Sequence, residues 1–200
     1  MTDTAQLYLM TPAGAQASSL GPLLERIMDR FPPACLRIRG GAEEDELARL
    51  ADLVREIAHD RDVAVVIDDH LQLALRHGLD GVHLTDGARS IRYARKELGA
   101  DAIIGAFCGS SRHDGMNAAE AGADYVSLGP AGDSVLGRGT PAPLELFEWW
   151  SEMIEVPVVA EGALNRELIA ALSPLSDFIA IGPEIWGQDD PIAALAALWG

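Results

Sequence analysis

VAVVIDDHLQLALRHGLDGVHLTDGA, residues 63–88, is the stretch that decides the fold. Val63 to Ile67 is a short apolar run rich in β-branched residues, long enough for a strand buried on both faces and too short for a helix. Leu71, Leu73, Ala74 and Leu75 then set an apolar helical face, which His77-Gly78 closes before a second apolar run, Gly81-Val82-His83-Leu84. The reading is strand, helix, strand. Parallel strands joined by a helix bring their carboxyl ends to one edge, so Asp68, Asp69 and the pair Thr85-Asp86 are expected on one face of the sheet. Acidic oxygens gathered there suggest a metal or a polar substrate.

Working outward, the same alternation recurs. Strands are expected over 6–10, 34–38, 101–107, 125–128, 156–160 and 177–181. Helices are expected from about 19–30 (capped by Ser18 or Ser19), 43–59, 90–98, 114–121, 144–153, 165–172 (capped by Asn165) and 191–199. The 129–141 segment is the longest loop, of the kind that is functional in a compact domain. Eight units at about 25 residues each close naturally into a (β/α)8 TIM barrel, although the alternation by itself also allows an open doubly wound sheet. No linker or shift in composition interrupts residues 1–200, so one barrel domain is expected.

A hydrophobic content of 48% over 200 residues is enough for a large core. The net charge of −16, with Lys96 as the only lysine, argues against nucleic acid or an anionic membrane as partner. Cys35 and Cys108 stand in or beside apolar runs with no CxxC or Cys/His cluster, and read as reduced thiols. With no apolar run of membrane-span length and no basic-then-apolar start, the expected location is the cytoplasm. The Phe147, Trp149, Trp150 run is read as core packing with part of a homodimer interface.

The strand ends carry the candidate chemistry. Arg37 and Arg39 are two apart on a strand and would clamp an oxyanion such as diphosphate, the plainer alternative being surface salt bridges. Asp69 is the candidate Mg²⁺ ligand, with Asp68 as a helix cap or hydrogen-bond partner. His83, inside a strand, is more often a packed or supporting residue than a base. Gly162 and Gly182 follow strands seven and eight, where barrels bind phosphate on backbone N–H groups; turn formation alone would also call for glycine.

The order of these motifs resembles the thiamine phosphate synthase and thiazole tautomerase family of small barrels. The similarity lies in Cys35-Leu36-Arg37-Ile38-Arg39 (Q-L-R-x-K), Ile67-Asp68-Asp69 (I-N-D), Asp80-Gly81-Val82-His83-Leu84 (D-G-V-H-L-G-Q), Ile103-Ile104-Gly105, Gly122-Ala123-Asp124-Tyr125-Val126 running to Gly129-Pro130, and Val156 to Gly162 (P-V-V-A-I-G-G). The resemblance implies a synthase in which a pyrimidine diphosphate loses Mg²⁺-bound diphosphate and a thiazole phosphate nitrogen captures the cation-like pyrimidine. It implies Arg37 and Arg39 on diphosphate, Asp69 on Mg²⁺, Asp68 on the pyrimidine side, and phosphorylated thiamine precursors as partners. His83, Cys108, Arg138, Gly162, Ala163 and Gly182 would border the substrates and their phosphate.

The chain also departs from that pattern. Ala88 stands where the family has its second metal-binding Asp, so Asp86 is the candidate replacement. Phe107-Cys108-Gly109 replaces a Ser/Thr-rich turn, Arg138 is the cation nearest a missing loop lysine, and Ala163 and Pro183 alter the phosphate pocket. The tautomerase's histidine position holds Pro130. Three readings follow: a divergent synthase, a family member that binds a thiamine precursor or another small phosphorylated ligand without synthase activity, and an unrelated phosphate-binding barrel enzyme.

Overall fold

The computed structural model describes residues 4–133 and 140–200. Eight parallel strands close into a barrel in sequence order: β1 Gln6–Met10, β2 Cys35–Ile38, β3 Ala64–Asp68, β4 Gly81–Leu84, β5 Ile103–Phe107, β6 Tyr125–Leu128, β7 Val158–Glu161 and β8 Phe178–Ile181. β8 returns to β1 with Tyr8 opposite Ala180, which closes the ring. The helices are α1 Ala17–Arg30, α2 Glu44–His59, α3 Leu71–His77, α4 Ile91–Leu98, α5 Arg112–Ala121, α6 Leu144–Met153, α7 Arg166–Leu172, α8 Pro183–Trp186 and α9 Pro191–Trp199. The open-sheet alternative is therefore excluded.

The strands read as continuous apolar runs because both faces are covered. Outward residues such as Leu9, Leu36, Ile67, Val126 and Ile181 pack under the helices with no exposure. Inward residues form a separate cluster of Tyr8, Met10, Cys35, Val66, Tyr125, Val159 and Ala180. Phe147 and Trp150 belong to the outer core, and Trp150 donates its indole N–H to the Val156 carbonyl at 2.8 Å. Trp149 is partly buried under the Arg112 guanidinium, 4.7 Å from its ring centre, so little of the expected aromatic interface is open on α6.

Helix starts differ from the sequence expectation where capping is not local. α1 begins at Ala17, and neither Ser18 nor Ser19 caps it; the Ala17 N–H donates instead to Glu46 of α2 at 2.8 Å. Nor does either acid at 68–69 cap α3, whose N-cap is His70. Asn165 does cap α7, accepting from the Leu168 N–H at 2.8 Å. The short α8 was not anticipated.

Close strand approach makes one glycine indispensable. A Cβ at Gly81 would lie 1.8 Å from the Ile103 carbonyl oxygen, a backbone atom that cannot swing aside. Gly81→Ala is expected to cost about 3 kcal/mol, at the upper end for overpacking, read from urea unfolding midpoints. A change below about 0.5 kcal/mol would show that β4 and β5 have room to separate.

Candidate active site

β2, β3 and β7 deliver three charged side chains to the carboxyl-end mouth of the barrel. Arg37 is 5% exposed; its Nε donates to Asp68 Oδ1 at 2.5 Å and its Nη1 to Glu161 Oε2 at 2.8 Å. Burial opposes the Arg37 charge, but Glu161, Tyr8 and Asp68 outweigh it and hold the guanidinium firmly protonated. Burial is also the first influence on Asp68 and lifts its carboxyl above the usual carboxylate range, with Glu161 adding to the lift and Arg37 pulling against it. Arg39 lies beyond the end of β2. Its backbone N–H donates to Thr11 Oγ1 at 3.0 Å, and its guanidinium makes no ion pair with a described residue. The two arginines thus reach the same mouth with different commitments.

Asp69 follows β3 in the left-handed region, at φ +54°, a conformation Asp tolerates better than most residues. Its two oxygens accept from Thr85, from the N–H at 2.8 Å and the hydroxyl at 2.6 Å, tying the ends of β3 and β4 together. Asp86 accepts from Ser90 Oγ at 2.6 Å. The two acids line different cavities. Asp69 faces one of about 420 Å³ with Glu44, His70 and Tyr93, and Asp86 one of about 520 Å³ with Arg89, Cys108, Asp114 and Asn117. Among the described residues no cluster of three or more His, Cys, Asp or Glu is arranged around a metal position.

His83 is fully buried inside the barrel. Its Nδ1 is 2.9 Å from the Tyr125 hydroxyl, which is 2.7 Å from that of Tyr8, and the His83 and Tyr125 rings stack at 5.7 Å. Burial first, then the Arg37 charge, pushes the His83 pKa well below 6.5. Because the folded value is depressed, the neutral ring contributes stability that is present above the unfolded pKa near 6.5 and is lost as pH falls below it. Between pH 7.5 and 5.5 the protein is expected to lose stability that a His83→Gln variant keeps, on the order of 1 kcal/mol, measured by urea unfolding at both values. Equal losses would show that His83 protonates freely in the fold.

The remaining candidates are spread around the same rim. Cys108 is 4% exposed, and burial, aided by Asp114, pushes its thiol up to about 12. Gly162 and Ala163 both take positive φ, +89° and +53°, and the Gly162 carbonyl accepts from the N–H groups of Ala131 and Gly132. The Glu184 carboxylate accepts from Leu164 N at 3.2 Å and from Gly182 N at 3.0 Å, joining the loops after β7 and β8. Arg138 lies outside the described residues. Glu184 was not foreseen, and Glu161, one of the residues that the sequence offers at the strand ends, was not foreseen as a partner of Arg37. The alternation along β7 offered a signal for Glu161, which shares the inward face with Val159.

The thiamine monophosphate synthase family model matches residues 7–182, a span that takes in all eight strands of the barrel except the first residue of β1. This chain belongs to the thiamine monophosphate synthase family. The thiamine-phosphate synthase of Rhodospirillum centenum is 38% identical over 202 residues, covering 98% of this chain and 96% of that one. That of Erythrobacter litoralis is also 38% identical, over 96% and 92% of the two chains. Among solved structures, thiamine phosphate pyrophosphorylase from Pyrococcus furiosus superposes with a TM-score of 0.82 over 98% of this chain and 95% of that one; at 24% identity it supports the shared fold alone. Within the family barrel, the mouth described here is where Arg37, Asp68 and Glu161 meet. Among the described residues no helix is long and apolar enough to cross a membrane.

Proposed function

We propose that this chain couples hydroxymethylpyrimidine diphosphate to a thiazole phosphate, forming thiamine phosphate and releasing diphosphate. The observation that carries the reading is the family match across residues 7–182, together with relatives of that name along nearly the whole chain. In the reaction the bond between the pyrimidine methylene carbon and the diphosphate oxygen breaks, with its electron pair leaving on diphosphate. The lone pair of the thiazole nitrogen forms the new C–N bond, and the positive charge ends on the thiazolium. Catalysis of this kind rests on positioning and on balancing charge as it develops.

The residues present suit Mg²⁺ as a shared rather than an enclosed ion. Asp69 would hold it, because each of its oxygens keeps lone-pair capacity beyond its Thr85 bond, and Mg²⁺ commonly takes one or two carboxylates together with water and substrate phosphate. Asp86 is the second candidate. When bound, the ion supplies neutralisation of the departing diphosphate. Thr85 orients the Asp69 carboxylate, and Arg39, just past the end of the neighbouring β2, would meet the anion. The cytoplasm belongs to this proposal and agrees with two free, buried cysteines. So does a homodimer, for which Leu144 and Met153 are the exposed apolar residues of α6.

The test is a coupling assay with both substrates, Mg²⁺ and a metal-free control. Metal-dependent thiamine phosphate is the expected result. Substrate binding by calorimetry without product would remove the synthase reading, and a monomer mass by sedimentation would remove the dimer.

A further inference from the structure

We propose that the amino-end face of the barrel, opposite the carboxyl-end mouth, carries a second binding site, which takes a small aromatic amine. A cavity of about 260 Å³ opens there, lined by the first residues of six strands: Gln6, Cys35, Ala64, Ile103, Tyr125 and Phe178. It lies roughly 15 Å from the mouth, the length of strands of four or five residues. Barrels ordinarily fill their interior layers with Val, Ile and Leu, whereas here Ala34, Cys35 and Ala64 leave the β2–β3 side open. On the other side Tyr8, Tyr125 and Phe178 form a wall of rings set edge to face, with Tyr8 centred 5.8 Å from Tyr125 and 6.5 Å from Phe178. The two phenol hydroxyls are committed to each other and to His83, so the wall meets a ligand with carbon. Burial pushes the Cys35 thiol up to about 12, which keeps it neutral. Such a cavity favours a single apolar ring.

Polar groups stand beside that wall. A second cavity of about 300 Å³ adjoins the first, sharing Gln6 and Phe178 with it, and adds Thr4, Ser176 and Asp177. Ser176 is 8% exposed, and its hydroxyl has no hydrogen-bond partner among the described residues. A buried hydroxyl in that position suits a ligand that donates to it. Asp177 Oδ2 accepts from the Val158 N–H at 2.8 Å, and the carboxylate makes no ion pair with a described residue. Its other oxygen is available to an ammonium group, and the net charge of −16 draws cations toward it. A ring joined to an ammonium by one or two carbons places its apolar part among the aromatic side chains and its charge at Asp177 and Ser176. Neither cavity includes Arg37, Asp69 or the loops after β7 and β8, so the site stands apart from the coupling reaction.

Protein NMR titration with three probes tests this: benzylamine, benzyl alcohol and methylamine. Benzylamine is expected to bind at least about thirtyfold more tightly than methylamine, which lacks the ring, and to shift amides at the starts of β1, β2 and β8. Asp177→Asn, which keeps an oxygen for the Val158 N–H, should weaken benzylamine by at least about threefold and leave benzyl alcohol unchanged. Ala64→Leu, which fills the inner cavity, should weaken both ring-bearing probes by at least about tenfold. If that variant does not fold, the comparison of probes on the unaltered chain and the Asp177→Asn variant decide the matter. Shifts confined to the carboxyl-end mouth, equal affinity for benzylamine and methylamine, or no saturation by about 10 mM benzylamine would overturn the inference. So would benzylamine binding that Asp177→Asn leaves unchanged.

Discussion

Asp69→Asn is expected to lower the coupling rate at saturating substrate by more than about a hundredfold and to raise the Mg²⁺ concentration needed for half-maximal rate. The loss should exceed the roughly 10–100-fold seen when an outer partner of a metal ligand is removed, because here the ligand itself loses its charge. Asparagine is the informative choice. It tolerates the φ of +54° at this position and retains an oxygen for the Thr85 N–H, so the β3–β4 connection is kept while the anionic oxygen is lost. Thermal unfolding beside the rate measurement separates chemistry from folding. An unchanged rate across the Mg²⁺ titration would sink the metal assignment to Asp69.

Arg37→Met should destabilise the protein by about 3–5 kcal/mol, the cost typical of removing one partner from a buried ion pair. The cause is what remains: Asp68 and Glu161, each nearly buried, facing one another across a thioether. For a domain of this size that is a fall in Tm of roughly 10 °C. Adding Asp68→Asn and Glu161→Gln to the same chain should recover most of it, because an uncharged mouth has no carboxylate to desolvate. Linear extrapolation of urea unfolding measures both steps. If Arg37→Met cost less than about 1 kcal/mol, water would have to reach the two carboxylates far more freely than their exposure of 13% and 15% suggests.

The barrel was readable in the sequence because each strand is a short apolar run set between turn residues. The 125–128 and 144–153 expectations match β6 and α6 residue for residue. What was not readable depends on separation along the chain. Arg37 meets Glu161 across 124 positions, and only closure of the ring brings β2 and β7 to one mouth. Ala17 is served by Glu46 from the next helix, which displaced the expected serine cap. Asp68 and Asp69 look like helix caps because acids before a helix often are, yet Arg37 and Thr85 offer stronger partners and take both. Residue type therefore located the site at the strand ends, while the pairing among those residues required the fold.

The Gly105–Tyr125 pair has a bearing on inheritance. A Cβ at Gly105 would fall 1.9 Å from Tyr125 Cζ, because the tyrosine ring fills the space a side chain on β5 would use. That ring also carries the hydroxyl between Tyr8 and His83. Neither position can drift alone: alanine at 105 evicts the ring, and a small residue at 125 opens a hole beside a bare backbone. Among descendants of this sequence the two should be replaced together or kept together, and a lineage that lost the tyrosine would be the first in which position 105 is free to vary.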